Sequence, residues 1–96
     1  MKPDPQPSSL HPEWPRTVDE AVTRILSEMS DADKECIRNT SKDHLITYHH
    51  GWGAGIRNSF GLWQGNHALM ADCRAVFPDS ASSVIIEAVW QRLQTP

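Results

Sequence analysis

The chain has 96 residues, enough for one small domain, and its formal net charge at pH 7 is −3. A domain of this size buries roughly 60–65% of its unfolded surface, which is enough to fold without disulfides or metals. The basic residues are scattered, which excludes a basic patch for nucleic acid or an anionic membrane. No apolar run reaches membrane-spanning length, and the first residues lack the apolar segment of a signal peptide. We therefore expect a cytoplasmic protein that binds neither nucleic acid nor membrane.

Prolines are concentrated at the amino-terminal end, where five of the seven lie in the first 16 residues. Such a segment forms neither a regular helix nor a paired strand. We predict a disordered Pro-rich tail over residues 1–13 and a single helical domain over residues 14–96. Trp14 is expected to anchor the start of the fold.

Two helices are predicted after the tail. Thr17 and Glu20 have the spacing of a capping box. Apolar residues then recur at helical spacing, namely Val18, Ala21, Val22, Ile25 and Met29. A second, shorter helix begins at Ser30, has Cys36 and Ile37 on its buried side, and ends at Asn39.

Three further helices complete the predicted fold. The third runs from Ser41 to about Ser59 and is stopped by Gly61. The fourth runs from Asn66 to about Cys73, and the fifth is capped by Asp79 or Ser80. Its inward face comprises Ile85, Ala88, Val89 and Leu93, broadened by Ile86 and Trp90. The sequence therefore predicts an all-α fold, a compact bundle of four to five short helices.

The stretch from His49 to Trp63 is the most unusual part of the chain, because it holds four of the five glycines and two of the four tryptophans. Each glycine in a helix interior costs about 1 kcal/mol relative to alanine. Gly51 and Gly55 are four residues apart and share one helical face. We interpret them as helix-packing glycines against which another helix rests. A ligand or partner backbone against the same face is the alternative.

Six residues of this stretch are candidate binding residues: His49, His50, Trp52, Arg57, Asn58 and Trp63. Trp52 also falls on a core-facing stripe with Ile56 and Phe60. Arg57 is interpreted as a structural fork to Asp72 or Asp79, and the alternative is a polar patch shared with His50.

No catalytic residue, metal or cofactor is predicted. Two histidines that bind one metal from a helix prefer a spacing of three or four residues, and no pair here has it. The two cysteines are far apart and lack a C-x-x-C partner, which fits free thiols in a reducing compartment. Cys36 is expected to be buried and inert.

Three segments carry a family resemblance: T-V-D-E-A-V, H-x-G-x-G-x-x-I-R-N-x-F-G-L-W and P-D-S-A-S-x-V-I-I-E-A-V-W-x-x-L. Over roughly Trp14 to Leu93 they resemble a small bacterial domain family of unknown function. The resemblance implies a bacterial or phage source and a free-standing helical domain. It transfers no catalytic residue.

From this sequence we expect a small protein-interaction or regulatory domain, of the immunity, antitoxin or phage-inhibitor type, whose partner is another protein. The alternative is a small-molecule or metal-dependent site around His49, His50 and Arg57. A deep pocket where these side chains converge favours the alternative. An apolar surface with a polar rim favours a protein partner.

Overall fold

A computed structural model describes residues 14–94, so the predicted tail over residues 1–13 lies outside it. The described part of the chain forms five α-helices, one 3₁₀ helix and no strand, which confirms the all-α fold. The helices are α1 Val18–Glu28, α2 Asp31–Arg38, the 3₁₀ helix Lys42–Tyr48, α3 Trp52–Ser59, α4 His67–Asp72 and α5 Pro78–Gln94.

The first two helices begin at the predicted caps. The Thr17 hydroxyl accepts a hydrogen bond from the Glu20 amide at 3.0 Å, and the Ser30 hydroxyl accepts one from the Asp33 amide at 3.0 Å. Ile37 is buried as predicted, but Cys36 is exposed, so the prediction for Cys36 was wrong. Adjacent positions on a helix diverge by about 100°. The side of α2 that buries Ile37 therefore leaves Cys36 outside the core.

The predicted third helix is not continuous. It is divided into the 3₁₀ helix and α3, with a turn at residues 49–51 between them. Three glycines in five positions lower helix propensity by about 1 kcal/mol each, and a short 3₁₀ segment often marks such a weak point. Gly61 does stop α3, with a φ of +71° that favours glycine.

The central helix is α5, which contacts α1, α2, the 3₁₀ helix, α3 and α4. Its buried residues are Ala81, Ser82, Ile85, Ile86 and Val89. The helix begins at Pro78 rather than after a cap at Asp79 or Ser80, so the predicted cap was wrong. The ring of proline presets the φ of a first helical position. Asp79 consequently lies inside the first turn.

The Asn66 side chain joins three parts of the fold and is only 3% exposed. Its amide nitrogen donates to the carbonyl oxygens of Pro15 at 2.9 Å and Phe60 at 2.8 Å. Its amide oxygen accepts from the Leu69 backbone at the start of α4. Asn66 thereby fixes the entry to α1, the end of α3 and the beginning of α4.

Trp14 packs against the turn that ends α3. A side chain at Gly61 would overlap the indole ring of Trp14, so the tryptophan lies directly on the glycine backbone. The expectation that Trp14 anchors the start of the fold is confirmed. Gly61 is therefore required both for its positive φ and for the space that it leaves.

Replacing Asn66 with alanine should destabilise the fold by about 2–3 kcal/mol, because two buried carbonyl oxygens lose their donor. Asn58 offers a matched control, since it is exposed on α3 and Asn58→Ala should change stability by less than about 0.5 kcal/mol. Urea unfolding followed by circular dichroism measures both. Equal midpoints for the two variants would contradict the structural role of Asn66.

Candidate functional site

Arg57 lies in the last turn of α3 and is 8% exposed. Its Nη1 donates to the Ser82 hydroxyl at 2.9 Å, and its Nε lies 3.4 Å from Oδ1 of Asp79. Its Nη2 donates to the carbonyl oxygen of His49 at 3.4 Å. Arg57 ties the end of α3 to a carboxylate, as predicted, and that carboxylate is Asp79, but the predicted fork is not formed, because both Nη atoms donate to other groups. The side chain clamps α3 to the first turns of α5.

Gly53 provides the space that this clamp needs. A Cβ at Gly53 would lie 3.1 Å from Nη1 of Arg57, 3.5 Å from the carbonyl oxygen of Tyr48 and 3.6 Å from Cδ1 of Ile86. Residues four apart on a helix share a face. A side chain at position 53 would therefore crowd the guanidinium of Arg57, which would have to shift by a few tenths of an ångström.

Gly51 and Gly55 are not helix-packing glycines, and that prediction was wrong. Both are exposed, and a Cβ at either position would meet no atom within 4 Å. The spacing of four residues correctly indicated a shared face but could not show which face was covered. The close approaches occur at Gly53 and Gly61 instead.

The structure brings His49, rather than His50, to the clamp. Nε2 of His49 lies 3.9 Å from Oδ2 of Asp79, and its Nδ1 is buried without a hydrogen-bond partner in the described part of the chain. His50 is exposed, with its ring centroid 5.3 Å from that of His49. Since Arg57 is buried, the polar patch predicted for His50 and Arg57 is not formed.

The remaining candidates point in other directions. Asn58 is exposed, and Trp63 is 60% exposed in the turn after α3, so neither covers the Arg57 clamp. Trp52 is half-buried and makes an edge-to-face contact with Tyr48 at a centroid distance of 5.9 Å. Two of the candidates line surface cavities: His49 lines one of about 250 Å³ between the 3₁₀ helix and α5, and Trp52 lines two others.

Two adjoining cavities on this surface form one groove, which we call the Trp52 groove. They share the side chains of Met29, Asp33 and Trp52. One has a volume of about 250 Å³ and the other of about 290 Å³. The first is completed by Cys36, Ile37 and Tyr48, and the second by Ile25, Glu28, Gly55, Ile56, Ser59 and Phe60. The groove runs between α3 on one side and α1 and α2 on the other.

Sequence reasoning missed several residues of this region. Met29 was predicted only as a member of the core stripe of the first helix, and no binding role was predicted for Asp33 or Glu28. Asp72, a candidate partner of Arg57, instead accepts a hydrogen bond from the Val18 amide at 2.6 Å. A groove between helices arises from their relative placement, for which a single sequence holds no signal.

The two cysteines have different environments. Cys73 is 5% exposed, and burial, followed by the nearby Asp72 carboxylate, raises the pKa of its thiol to about 11. Cys36 is exposed at the Trp52 groove, with its Sγ 3.7 Å from the Tyr48 hydroxyl. Both cysteines are free. The thiol of Cys36 is therefore the accessible one.

Within residues 14–94, no three or more His, Cys, Asp or Glu side chains form a group that could hold a metal ion. None of the helices described for these residues is both long and apolar enough to cross a membrane.

The geometry defines a small helical domain with an internal arginine clamp and a groove beside it. The chain belongs to the family described as Domain of unknown function (DUF6794), whose model matches residues 14–93. The predicted resemblance to a family of unknown function over the helical domain is thereby confirmed. Comparisons with curated proteins and with solved structures gave no match.

Changing Arg57 to alanine should lower the free energy of unfolding by about 2 kcal/mol, because buried packing and hydrogen bonds are lost together. Asp79 is 58% exposed and stays solvated, so the loss should be smaller than for a fully buried pair. His50→Ala is the matched control and should change stability by less than about 0.5 kcal/mol. Urea melts measure both. An Arg57→Ala protein as stable as the parent would overturn the clamp.

Thiol labelling should distinguish the two cysteines. At about pH 8, a thiol with a pKa of about 11 is only about one part in a thousand thiolate, and Cys73 is also buried, whereas Cys36 is exposed. An aromatic disulfide reagent should therefore modify Cys36 quickly and Cys73 only on unfolding. Cys36→Ser should abolish the fast phase, and Cys73→Ser should preserve it. Fast modification of both thiols in the folded parent protein would contradict these assignments.

Proposed function

We propose that this chain is a non-catalytic protein-interaction or regulatory domain that acts in a bacterial cytoplasm. The immunity, antitoxin or phage-inhibitor type suits a domain of this size and charge. The observation that carries the proposal is that Arg57 contacts other groups of the chain. Arg57 is the residue of the stretch from His49 to Trp63 best suited to bind a substrate. Its donors are directed to Ser82, Asp79 and His49 within the chain. A guanidinium that is 8% exposed and held in this way is poorly accessible to a substrate.

Exposed apolar side chains also support an interaction role. They include Ile46, Trp63, Val76, Phe77 and Val84. Val76 is 82% exposed and the adjacent Phe77 is 66% exposed, both in the segment before α5. Tryptophan and phenylalanine are enriched at protein interfaces, where their burial contributes much of the binding energy. A partner that covers such side chains would remove apolar surface from water.

The cytoplasmic location is supported by the thiols. Cys36 and Cys73 are both free, and one of them is exposed. Disulfides persist in oxidising compartments, whereas free exposed thiols are maintained by cellular reductants. The bacterial assignment rests on the family resemblance of the central motif.

One observation favours the alternative, a small-molecule or metal-dependent site around His49, His50 and Arg57. Nδ1 of His49 is buried without a hydrogen-bond partner among residues 14–94. Buried polar atoms are normally paired, and an imidazole nitrogen is a common metal ligand. The alternative therefore centres on His49.

Zinc titration and in-cell cross-linking together test the two functions. Melts of the parent and of His49→Ala, each with and without Zn²⁺, should show no metal-dependent rise in melting temperature. Cross-linking in the source cells, followed by purification of the captured protein, should give a partner that binds the parent chain in a fixed ratio. Reconstitution from purified components should reproduce the complex.

Two results together would contradict the interaction role. The first is a rise in the melting temperature of the parent with Zn²⁺ that His49→Ala abolishes. The second is the failure of every captured protein to bind the purified chain. That combination would assign His49 to a metal-dependent site.

A further inference from the structure

Acidic side chains line the Trp52 groove, and one cation of the chain, Arg24, lies at its edge over Phe60. The charged lining residues of the groove are Glu28 and Asp33, and both are acidic. The salt bridges found among residues 14–94 engage neither carboxylate. The groove therefore offers two carboxylates to a cation from outside the described chain.

The aromatic residues of the groove strengthen this preference. The face of a tryptophan attracts ammonium and guanidinium groups, more so where a carboxylate lies nearby. Trp52 is half-buried and lies between the two cavities, both of which include Asp33. At the far end, the guanidinium carbon of Arg24 already lies 5.9 Å from the centroid of the Phe60 ring. The chain thus makes with its own arginine the kind of contact that Trp52 offers to another molecule.

The size and floor of the groove indicate a peptide segment. Pockets for drug-sized molecules are typically about 300–1,000 Å³. The joined groove falls within that range, but it is divided into two cavities of about 250 and 290 Å³, each of which suits one side chain of a longer segment. Gly55 leaves the floor of the second cavity open, since a Cβ there would meet no atom within 4 Å. A neighbouring backbone can approach closely at such a position.

We propose that the Trp52 groove docks a basic, apolar segment of a partner protein. A lysine or arginine of that segment lies over Trp52 beside Asp33. An adjacent apolar side chain enters the second cavity, above Gly55 and between Ile25 and Phe60. The proposal rests on the interaction role of the domain and names the surface and the chemistry of its partner.

A phage-displayed library of random peptides, panned on the purified full chain, provides the probe. The selected peptides should share a lysine or arginine next to an apolar residue. Binding of the best synthetic peptide is then measured by fluorescence anisotropy. Salt should weaken this binding, because exposed charges are screened.

Three variants locate the bound peptide. Gly55→Leu fills the second cavity and should weaken binding about tenfold or more. Asp33→Asn removes one rim charge and should weaken it about threefold to fivefold. Asp43→Asn is the matched control, because Asp43 is an exposed acid that lies outside the groove. This variant should bind the peptide as tightly as the parent does. The leucine of Gly55→Leu enters open space, so this variant should have the same melting temperature as the parent. If it unfolds instead, the Asp33 and Asp43 pair still decides the result.

Several results would overturn the groove proposal. One is a neutral or acidic consensus among the selected peptides. Another is equally tight peptide binding by the parent and by Asp33→Asn. A third is that no peptide is enriched over selection on an unrelated control domain. Equally tight binding of a free polyamine would show that the groove takes a small cation instead of a peptide. A cross-linked cellular partner that binds Gly55→Leu and Asp33→Asn as well as the parent would also overturn it, and would leave the interaction role standing. Loss of the interaction role itself is recognised by the zinc response of His49 together with the failure of every captured protein to bind the purified chain, and the zinc response does not involve the groove.

Discussion

The fold depends on one buried guanidinium held between two helices. Burying a cation costs free energy unless its donors are satisfied. Those of Arg57 are directed to Ser82, Asp79 and the His49 carbonyl. These partners come from the first turns of α5 and from the turn before α3, so the arginine fixes how α3 lies on the central helix. The break at residues 49–51 belongs to the same arrangement, because it leaves the His49 carbonyl available to the arginine.

The eight residues of α3 form two faces with different surroundings, one against α5 and one at the Trp52 groove. Gly53 and Arg57 face α5, where the absence of a side chain at position 53 makes room for the guanidinium. Trp52, Gly55 and Ser59 line the groove on another side of the same helix. Two glycines two residues apart thus have opposite surroundings, since one lies under a packed side chain and the other is open to solvent. The packed side chain of Arg57 explains the glycine at position 53, and no contact in the part of the chain that the structure describes requires a glycine at position 51.

The parts of the fold that depend on near neighbours were predictable. The Thr17 and Ser30 caps, the apolar stripe of α1 and the stop at Gly61 all involve contacts within a few positions. The contacts that span long stretches of chain were not. Arg57 pairs with Ser82, which is 25 positions away, and Asn66 with Pro15, which is 51 away. Which glycines of α3 are covered also depends on such distant packing, whereas the division of the predicted third helix has a local cause in the glycines of residues 51–55.

The shared helix also determines how variants of this domain should be interpreted. Trp52 is adjacent to Gly53, so a change that disturbs the Arg57 clamp also displaces one wall of the groove. Loss of binding after a change at Arg57 or Gly53 is therefore no sign that either residue contacts the partner. Substitutions at Gly55 and Asp33 test partner binding more directly. A side chain added at position 55 would enter open space, and Asp33 lies on the rim of the groove. A change at either position alters the groove and leaves the contacts between α3 and α5 in place, so its effect on binding reflects the partner itself.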